Sequence, residues 1–385
     1  MTESKSVGLA SLNFVDMRKN TGPGVNESDF NLWLLKTFGD SVVYSPFDSD
    51  RLGKERGNRV RAFGPHSLRT PLRMISTQFS LVSALARDLR PGAILYYRHS
   101  RLTFAAAILK RRRPDVVIAM TRTHPAGSDK MINISPLNRL IARIIAGLDD
   151  RLRIAIARKA HWVDCVTQEQ ALLLQEETGR RVDVVMNGVN TSMFKPHSET
   201  HRAKIRANLG IPEQAIVVGY CGGFPEQRGA REISALTAIA PDTFGIVIGK
   251  LFEADRAELA HDRIRLLGEI DYQDVPDLVG AFDVAVALDV PGRSGIAGNS
   301  NQKVRQGLAS GAWILTQAAD LPFEDKPYLG LNAVSRDEKY LAETIRKAQQ
   351  YFPMRKDRAT YARENLSTDT IFHLRHEAIL SGAKS

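Results

Sequence analysis

AIVVGYCGGFPEQRGAREISALTAIAPDTFGIVIGK, residues 215–250, holds the pattern that decides the fold. A continuous apolar, β-branched run (215–224) ends in glycines, a helix follows, and a second such run (244–250) comes after it. Strands with one wet face alternate apolar and polar residues. Unbroken runs mark strands buried on both faces, as in a parallel sheet covered by helices.

The same unit recurs in both directions. Downstream stand IRLLGEI (264–270), DVAVALDV (283–290) and AWILTQ (312–317). Upstream stand VGLASLNF (7–14), SVVYS (41–45), AILYY (93–97), DVVIAM (115–120), DCVTQ (164–168) and DVVMNGV (183–189). Strands alternating with helix-length segments predict a doubly wound α/β architecture. A chain of 385 residues exceeds what one hydrophobic core supports, about 250–300 residues. NTSMFKPHSET (190–200) has turn formers, a proline and no apolar period, so it reads as a linker. The expectation is two Rossmann-like domains, 1–195 and 196–369, facing across a cleft, with 370–385 a C-terminal helix packing back on the first. Ligands of such sheets bind beyond the carboxyl ends of the strands.

At 43% hydrophobic and 25% charged residues, the chain is neither disordered nor fibrous. Its longest uncharged stretch, Gln306–Ala319, is 14 residues, short of the roughly 20 a spanning helix needs. MTESKSVGLASLNF lacks a basic segment followed by an apolar core, so no secretory leader is expected. Two cysteines, Cys165 and Cys221, exclude a disulfide framework and a four-cysteine zinc site; both read as buried thiols.

Charge is uneven. Residues 1–190 hold 29 Lys and Arg against 18 Asp and Glu, net +11, and residues 191–385 hold 24 against 25, net −1. The first half therefore expects an anionic partner. Two segments concentrate the cations. A helix from Leu102 to Arg113 ends in Lys110-Arg111-Arg112-Arg113, which also suits the helix dipole. A second helix, capped by Ser135-Pro136, sets Leu137, Leu140, Ile141, Ile144, Ile145 and Leu148 on one face and Arg139, Arg143, Arg151 and Arg153 on the other. Together they predict an anionic membrane surface as partner. Nothing resembles an aromatic-interleaved basic strand or a recognition helix, so no nucleic-acid partner is expected.

Four places carry candidate chemistry. Gly219–Gly229 turns from strand to helix, where Gly222 and Gly223 let backbone approach a phosphate and Arg228 adds a bidentate cation. Thr21–Asn26, with Gly22 and Gly24, offers a second such approach between the first strand and first helix; it is neither a GxGxxG nor a Walker A sequence. Lys303 and Gln306, three residues apart, share a helix face. His124 beside Arg122, and His99 beside Arg98, follow strands at their carboxyl ends. Zinc-protease and nucleophile-elbow motifs are absent from the sequence.

Taken together these segments resemble retaining glycosyltransferases of family 4, which have the GT-B fold. VVMNGVNTSMFKP resembles the family's interdomain Asn-Gly-Val-Asp and Phe-x-Pro signature, through Asn187, Gly188, Val189, Asn190, Phe194 and Pro196. GYCGGFPEQRG is similar to its donor-phosphate turn, Gly-Arg-Leu-x-x-x-Lys-Gly, with Gly223 at the Arg position and Arg228 at the Lys position. IRLLGEIDYQDVPDLVGAFDVAVALD and KVRQGLASG resemble the later motifs, with Lys303 retained and Gly298 and Gln306 where the family carries two glutamates. The resemblance is clear over residues 160–320.

It implies transfer of a sugar, with retention, from a nucleoside-diphosphate sugar to a hydroxyl acceptor, in bacterial surface polysaccharide or glycolipid assembly. His124, Arg228 and Lys303 would be catalytic. Gly22, Gly24, Gly222, Gly223, Arg228, Lys303 and Gln306 would bind the donor, and Arg98, His99 and Arg122 would face the acceptor, a lipid-linked molecule or a saccharide. No metal or cofactor is expected, because the nucleotide sugar is a substrate. The expected location is cytoplasmic, or peripheral on the inner face of the cytoplasmic membrane. Gly223, Gly298 and Gln306 leave an alternative, a GT-B-fold partner subunit that binds nucleotide sugar without turning it over.

Overall fold

Among the described residues thirteen strands form two sheets, and every pairing between them is parallel. The computed structural model describes residues 7–18, 22–47, 50–55, 57–62, 71–100, 102–122, 136–223, 229–251, 253–288, 302–317 and 321–382. These fall into two units. One runs to Met186 and resumes at Phe372; the other spans Asn187 to Ile371.

In the first unit the strands are β1 (Val7–Leu12), β2 (Ser41–Ser45), β3 (Val60–Ala62), β4 (Leu89–Arg98), β5 (Val117–Arg122), β6 (Trp162–Cys165) and β7 (Asp183–Val184). Their order across the sheet is β3-β2-β1-β4-β5-β6-β7. The second unit has β8 (Ile216–Cys221), β9 (Thr243–Ile248), β10 (Ile264–Gly268), β11 (Val284–Ala287), β12 (Trp313–Thr316) and β13 (Gly330–Asn332), in the order β10-β9-β8-β11-β12-β13. Each of the eleven apolar runs overlaps one strand. β3 and β13, three residues each, had no run of their own; both stand at sheet edges, where little apolar surface is buried to leave a signal.

Burial explains the unbroken runs. All six residues of β1 are buried, as are all four of β11 and of β12. Leu12, Tyr44, Leu95, Tyr97 and Met120 belong to the first unit's core, and Val218, Tyr220, Val247, Val286 and Leu315 to the second's. Each large apolar side chain buried in this way contributes about 1.5–3 kcal/mol.

Buried arginines tie the second unit together behind its sheet. Asp283, just ahead of β11, accepts from Arg206 Nη2 at 2.7 Å, from Arg202 and from the Val217 amide at 2.8 Å. Arg355 donates to the carbonyls of Phe282, Gly280 and Ser310 at 2.7–3.0 Å. Arg358, fully buried, donates to Gly311, Tyr328, Tyr351 and Phe352. Buried charge is tolerable only when its hydrogen bonds are made. Here they fix the C-terminal end of the helix Gln302–Ala309.

The stretch 190–200 belongs wholly to the second unit, whose first residue is Asn187. It is ordered by its own contacts. Asn190 Oδ1 accepts from the Ser192 and Met193 amides, and Phe194 is 1% exposed. Val189 exchanges backbone hydrogen bonds with Leu366 and Thr368. A Cβ on Gly188 would lie 2.6 Å from the Thr368 Cα, so only glycine fits there.

Near the C-terminus, the helix Thr368–Gly382 contributes Phe372 onward to the first unit. Arg375 pairs with buried Asp164 at 2.9 Å and lies over the rings of Phe30, Tyr96 and Trp162.

The two basic helices differ from their expected faces. The earlier one spans Ala105–Arg112, starting later than Leu102. Lys110 Nζ donates to the Pro114 and Val116 carbonyls, and Arg113 pairs with Asp115 and caps the Ala86 and Leu89 carbonyls. In the helix Pro136–Lys159, Arg153 is buried between Asp150 and Glu177, at 3.0 and 2.6 Å. Ile144 and Leu148 are instead 57% and 49% exposed. Arg153 thus belongs to the inward face, because two acids compensate its burial. Arg111, Arg112 and Arg151 are exposed; Ser135 and the side chains of Arg139 and Arg143 lie outside the described residues. Among the described residues no helix is long and apolar enough to cross a membrane.

Candidate functional site

In the second sheet, chain order reverses between β8 and β11, which are neighbours. Loops leaving two adjacent strands in opposite directions open a crevice at such a point. Between these strands and the helix Gln302–Ala309 lies a small cavity of about 10 Å³, lined by Gly219 and Cys221 of β8, Val286 of β11, Val279, and Lys303 and Gln306 of that helix.

The glycine turn begins at Gly222, the first residue after β8. Gly222 has φ +148°, and a Cβ there would stand 3.4 Å from Lys303 Cε. Gly229 has φ +131°, and a Cβ there would meet Val286 Cγ1 at 2.6 Å. Glycine is demanded at 229 by conformation and space together. Gly223 is exposed.

Lys303 is held over this turn. Its Nζ donates to the Tyr220 hydroxyl at 2.9 Å and lies 4.6 Å from the ring centre. Tyr220 in turn donates to the Gly223 carbonyl at 2.8 Å. Gln306, one turn along, is 7% exposed, and its Nε2 lies 3.5 Å from the Tyr272 hydroxyl. Tyr272 also packs on Phe194, with ring centres 6.0 Å apart. Gln302 donates to the Gly188 carbonyl at 2.9 Å, which anchors the start of the helix. Burial pushes the Cys221 thiol up to about 12, against the pull of the Lys303 charge. It is therefore no thiolate nucleophile at neutral pH.

In the first sheet the reversal falls between β1 and β4. Residues 22–26, expected as a loop, form the opening turns of the helix Gly22–Thr37. Pro23 suits a helix start because its missing N–H would have no partner there. Gly22 and Gly24 thus lie at a helix N-terminus, with Gly24 buried.

Arg98 and His99 are committed to internal acids. Arg98 pairs with Glu27 at 2.8 Å, both of them buried. His99 stands 3.3 Å from Asp149 and 3.1 Å from the Tyr97 hydroxyl, while Asp149 also accepts from the Leu102 amide. These two groups, expected on the acceptor side, are packed in the interior, because each has a buried carboxylate within reach. Asp29, on the same helix as Glu27, is pushed up to about 6 by burial, which outweighs the Arg51 charge. Arg122 ends β5, but its side chain, and all of His124 and Arg228, lie outside the described residues.

Sequence reasoning thus placed Lys303, Gln306 and Gly222 together, as found. It missed Tyr220, Tyr272, Gln302, Glu27 and Asp149. Tyr220 was hidden inside an apolar strand run, although a tyrosine buried near a strand end needs a hydroxyl partner.

No protein-family model matches the chain, and no curated protein matches its sequence. Solved structures do match. HepE of Anabaena, in complex with UDP and glucose, aligns over 97% of this chain and 100% of its own, at 16% identity and TM-score 0.69. The fold is GT-B. Sucrose-phosphate synthase of Thermosynechococcus elongatus (17% identity, 98% and 99% covered) and a glycosyltransferase of Rickettsia africae (13%, 99% and 99%) have the same TM-score, 0.69. In this GT-B chain, Asn187–Pro196, Gly219–Gly223 and Lys303–Gly311 all belong to the second unit. Of these segments, Gly219, Cys221, Lys303, Val304 and Gln306 line its cavity.

Proposed function

We propose that this chain is a retaining glycosyltransferase that moves a sugar from a nucleoside-diphosphate sugar to a hydroxyl acceptor, in surface polysaccharide or glycolipid assembly. One observation carries the reading: Lys303, on one helix face with Gln306, stands beside the Gly222 turn at the switch point of the second sheet, where a nucleoside diphosphate would meet a cation, an amide and open backbone. HepE, of like fold, is described with UDP and with UDP-glucose.

The chemical task is to stabilise the diphosphate as the glycosidic bond ionises. Preorganised positive groups aimed at the developing charge do this best. Lys303 supplies one, and Arg228 and the N-terminus of the helix Gly22–Thr37 are assigned the same work. His124 is assigned to the sugar. If leaving group and acceptor react on one face, the protein needs no nucleophile of its own, and Cys221 with its raised pKa offers none. Gln306 takes the ribose hydroxyls through its carbonyl. The acceptor is a lipid-linked molecule or a saccharide, met by the basic first half at an anionic membrane surface, on the inner face of the cytoplasmic membrane. No metal enters this reaction scheme.

Release of nucleoside diphosphate from a panel of nucleotide sugars with hydroxyl acceptors tests the reading, and the anomeric configuration of the product tests retention. Gln306 in place of a glutamate favours a second reading, the partner subunit. Donor binding without release, in the presence of every acceptor class, would select it.

A further inference from the structure

A cluster of side chains outside the cavity has the geometry of a metal centre. Among the described residues, His197, His201 and Asp277 form the one group of three metal-ligating side chains with converging donor atoms. His197 Nε2 lies 3.2 Å and His201 Nε2 3.5 Å from the same carboxylate oxygen, Asp277 Oδ1. All three donors fall within 4.8 Å of one another. Zinc bound at 2.0–2.2 Å to nitrogen and oxygen in a tetrahedron separates its ligands by about 3.3–3.5 Å. The two measured separations match that edge.

Local structure fixes the arrangement before any ion arrives. Ser198 caps the helix Glu199–Asn208, its Oγ accepting from the His201 amide at 3.2 Å. The cap therefore locks His197, just before it, against His201, three residues after it. The His197 ring lies on the backbone of the helix Val275–Gly280, where a Cβ on Gly280 would stand 2.1 Å from its Cδ2. Asp277 comes from that same helix.

His197 Nε2 is buried and makes no hydrogen bond. A buried ring nitrogen left so is costly, and a metal ion would satisfy it.

We propose that His197, His201 and Asp277 bind one zinc-class divalent cation, with water as the fourth ligand, as a structural clamp between the helices Glu199–Asn208 and Val275–Gly280. Two imidazoles and one carboxylate suit zinc or cobalt and not calcium or magnesium, which prefer all-oxygen sites. Asp277 and Val279 stand two residues apart on a helix and so do not share a face; Val279 is the one that lines the cavity.

Untagged full-length protein, stripped with chelator, tests this. Titration with cobalt should give one equivalent per chain with the strong visible absorption of four-coordinate cobalt, displaced by zinc. Zinc at 100 times Kd should raise the melting temperature by about 5 °C. His201→Ala and Asp277→Asn, both at exposed positions, should each weaken binding by about 100-fold or more, while the stripped variants melt with the stripped wild type. Binding that survives both substitutions, or no stoichiometric binding by the wild type, overturns the proposal.

Discussion

Lys303 Nζ stands 2.9 Å from the hydroxyl of Tyr220 and 4.6 Å from the centre of the same ring. The hydroxyl is itself tied to the Gly223 carbonyl, so strand β8, the glycine turn and the helix Gln302–Ala309 meet at one side chain. The tyrosine decides where the ammonium stands, and the glycine at 222 leaves room for it.

Lys303→Met should therefore weaken nucleoside diphosphate binding by about 1.5–3 kcal/mol, the range for a charged hydrogen-bond partner. Tyr220→Phe keeps the ring and removes the anchor, so it should cost less, about 0.5–1.5 kcal/mol. Calorimetry with UDP reads both. Wild-type affinity in folded Lys303→Met protein would take Lys303 out of the donor site.

Under the proposed function Gln306 would offer the ribose a neutral acceptor, and charged acceptors make hydrogen bonds roughly twice as strong. Gln306→Glu should keep or raise donor affinity. Abolished binding in a folded variant would mean that the site is built around the amide, whose Nε2 now faces the Tyr272 hydroxyl.

Much of this was legible in the chain. Parallel strands buried on both faces must be continuously apolar, so eleven runs gave eleven strands. The Lys303–Gln306 face followed from helical spacing alone. The side chains that hold the site were not legible, because Tyr220 and Tyr272 act through contacts over 83 and 34 residues of sequence. For the same reason the ion pairs of Arg98 and His99 were not legible: neither Glu27 nor Asp149 is a sequence neighbour. Arg153 shows the limit of helix-face counting. An arginine with two acids in reach turns inward, and isoleucine and leucine take the outer positions.

Asp29 sets a pH dependence. Its carboxyl is raised to about 6 in the folded chain by burial, above the ordinary aspartate value near 3.9. A raised folded pKa favours the folded state below the unfolded value, and that contribution is lost as pH rises through about 6. Asp29→Asn should then be more stable than wild type at pH 7, by about 2–3 kcal/mol for a shift of roughly two units, and equal to it at pH 4. Urea unfolding at the two pH values reads this. An equal difference at both would assign the effect to packing instead of charge.

The +11 of residues 1–190 yields the last prediction. Lys110, Arg113 and Arg153 are occupied by carbonyls and acids, so an anionic bilayer would be met by exposed Arg111, Arg112 and Arg151. Each basic residue near anionic lipid contributes about 1 kcal/mol, and the attraction fades within a Debye length of about 8 Å at physiological salt. Full-length protein should co-sediment with anionic vesicles at low salt, leave them at high salt, and ignore neutral vesicles. Reversing two charges, as Arg111→Glu with Arg112→Glu, changes the local charge by four and should weaken binding by tenfold or more. Both positions are exposed on the last turn of a short helix, so the fold should not change. If neither vesicle type retains the wild type at low salt, the membrane is not the anion that this charge answers, and a soluble acidic acceptor takes its place.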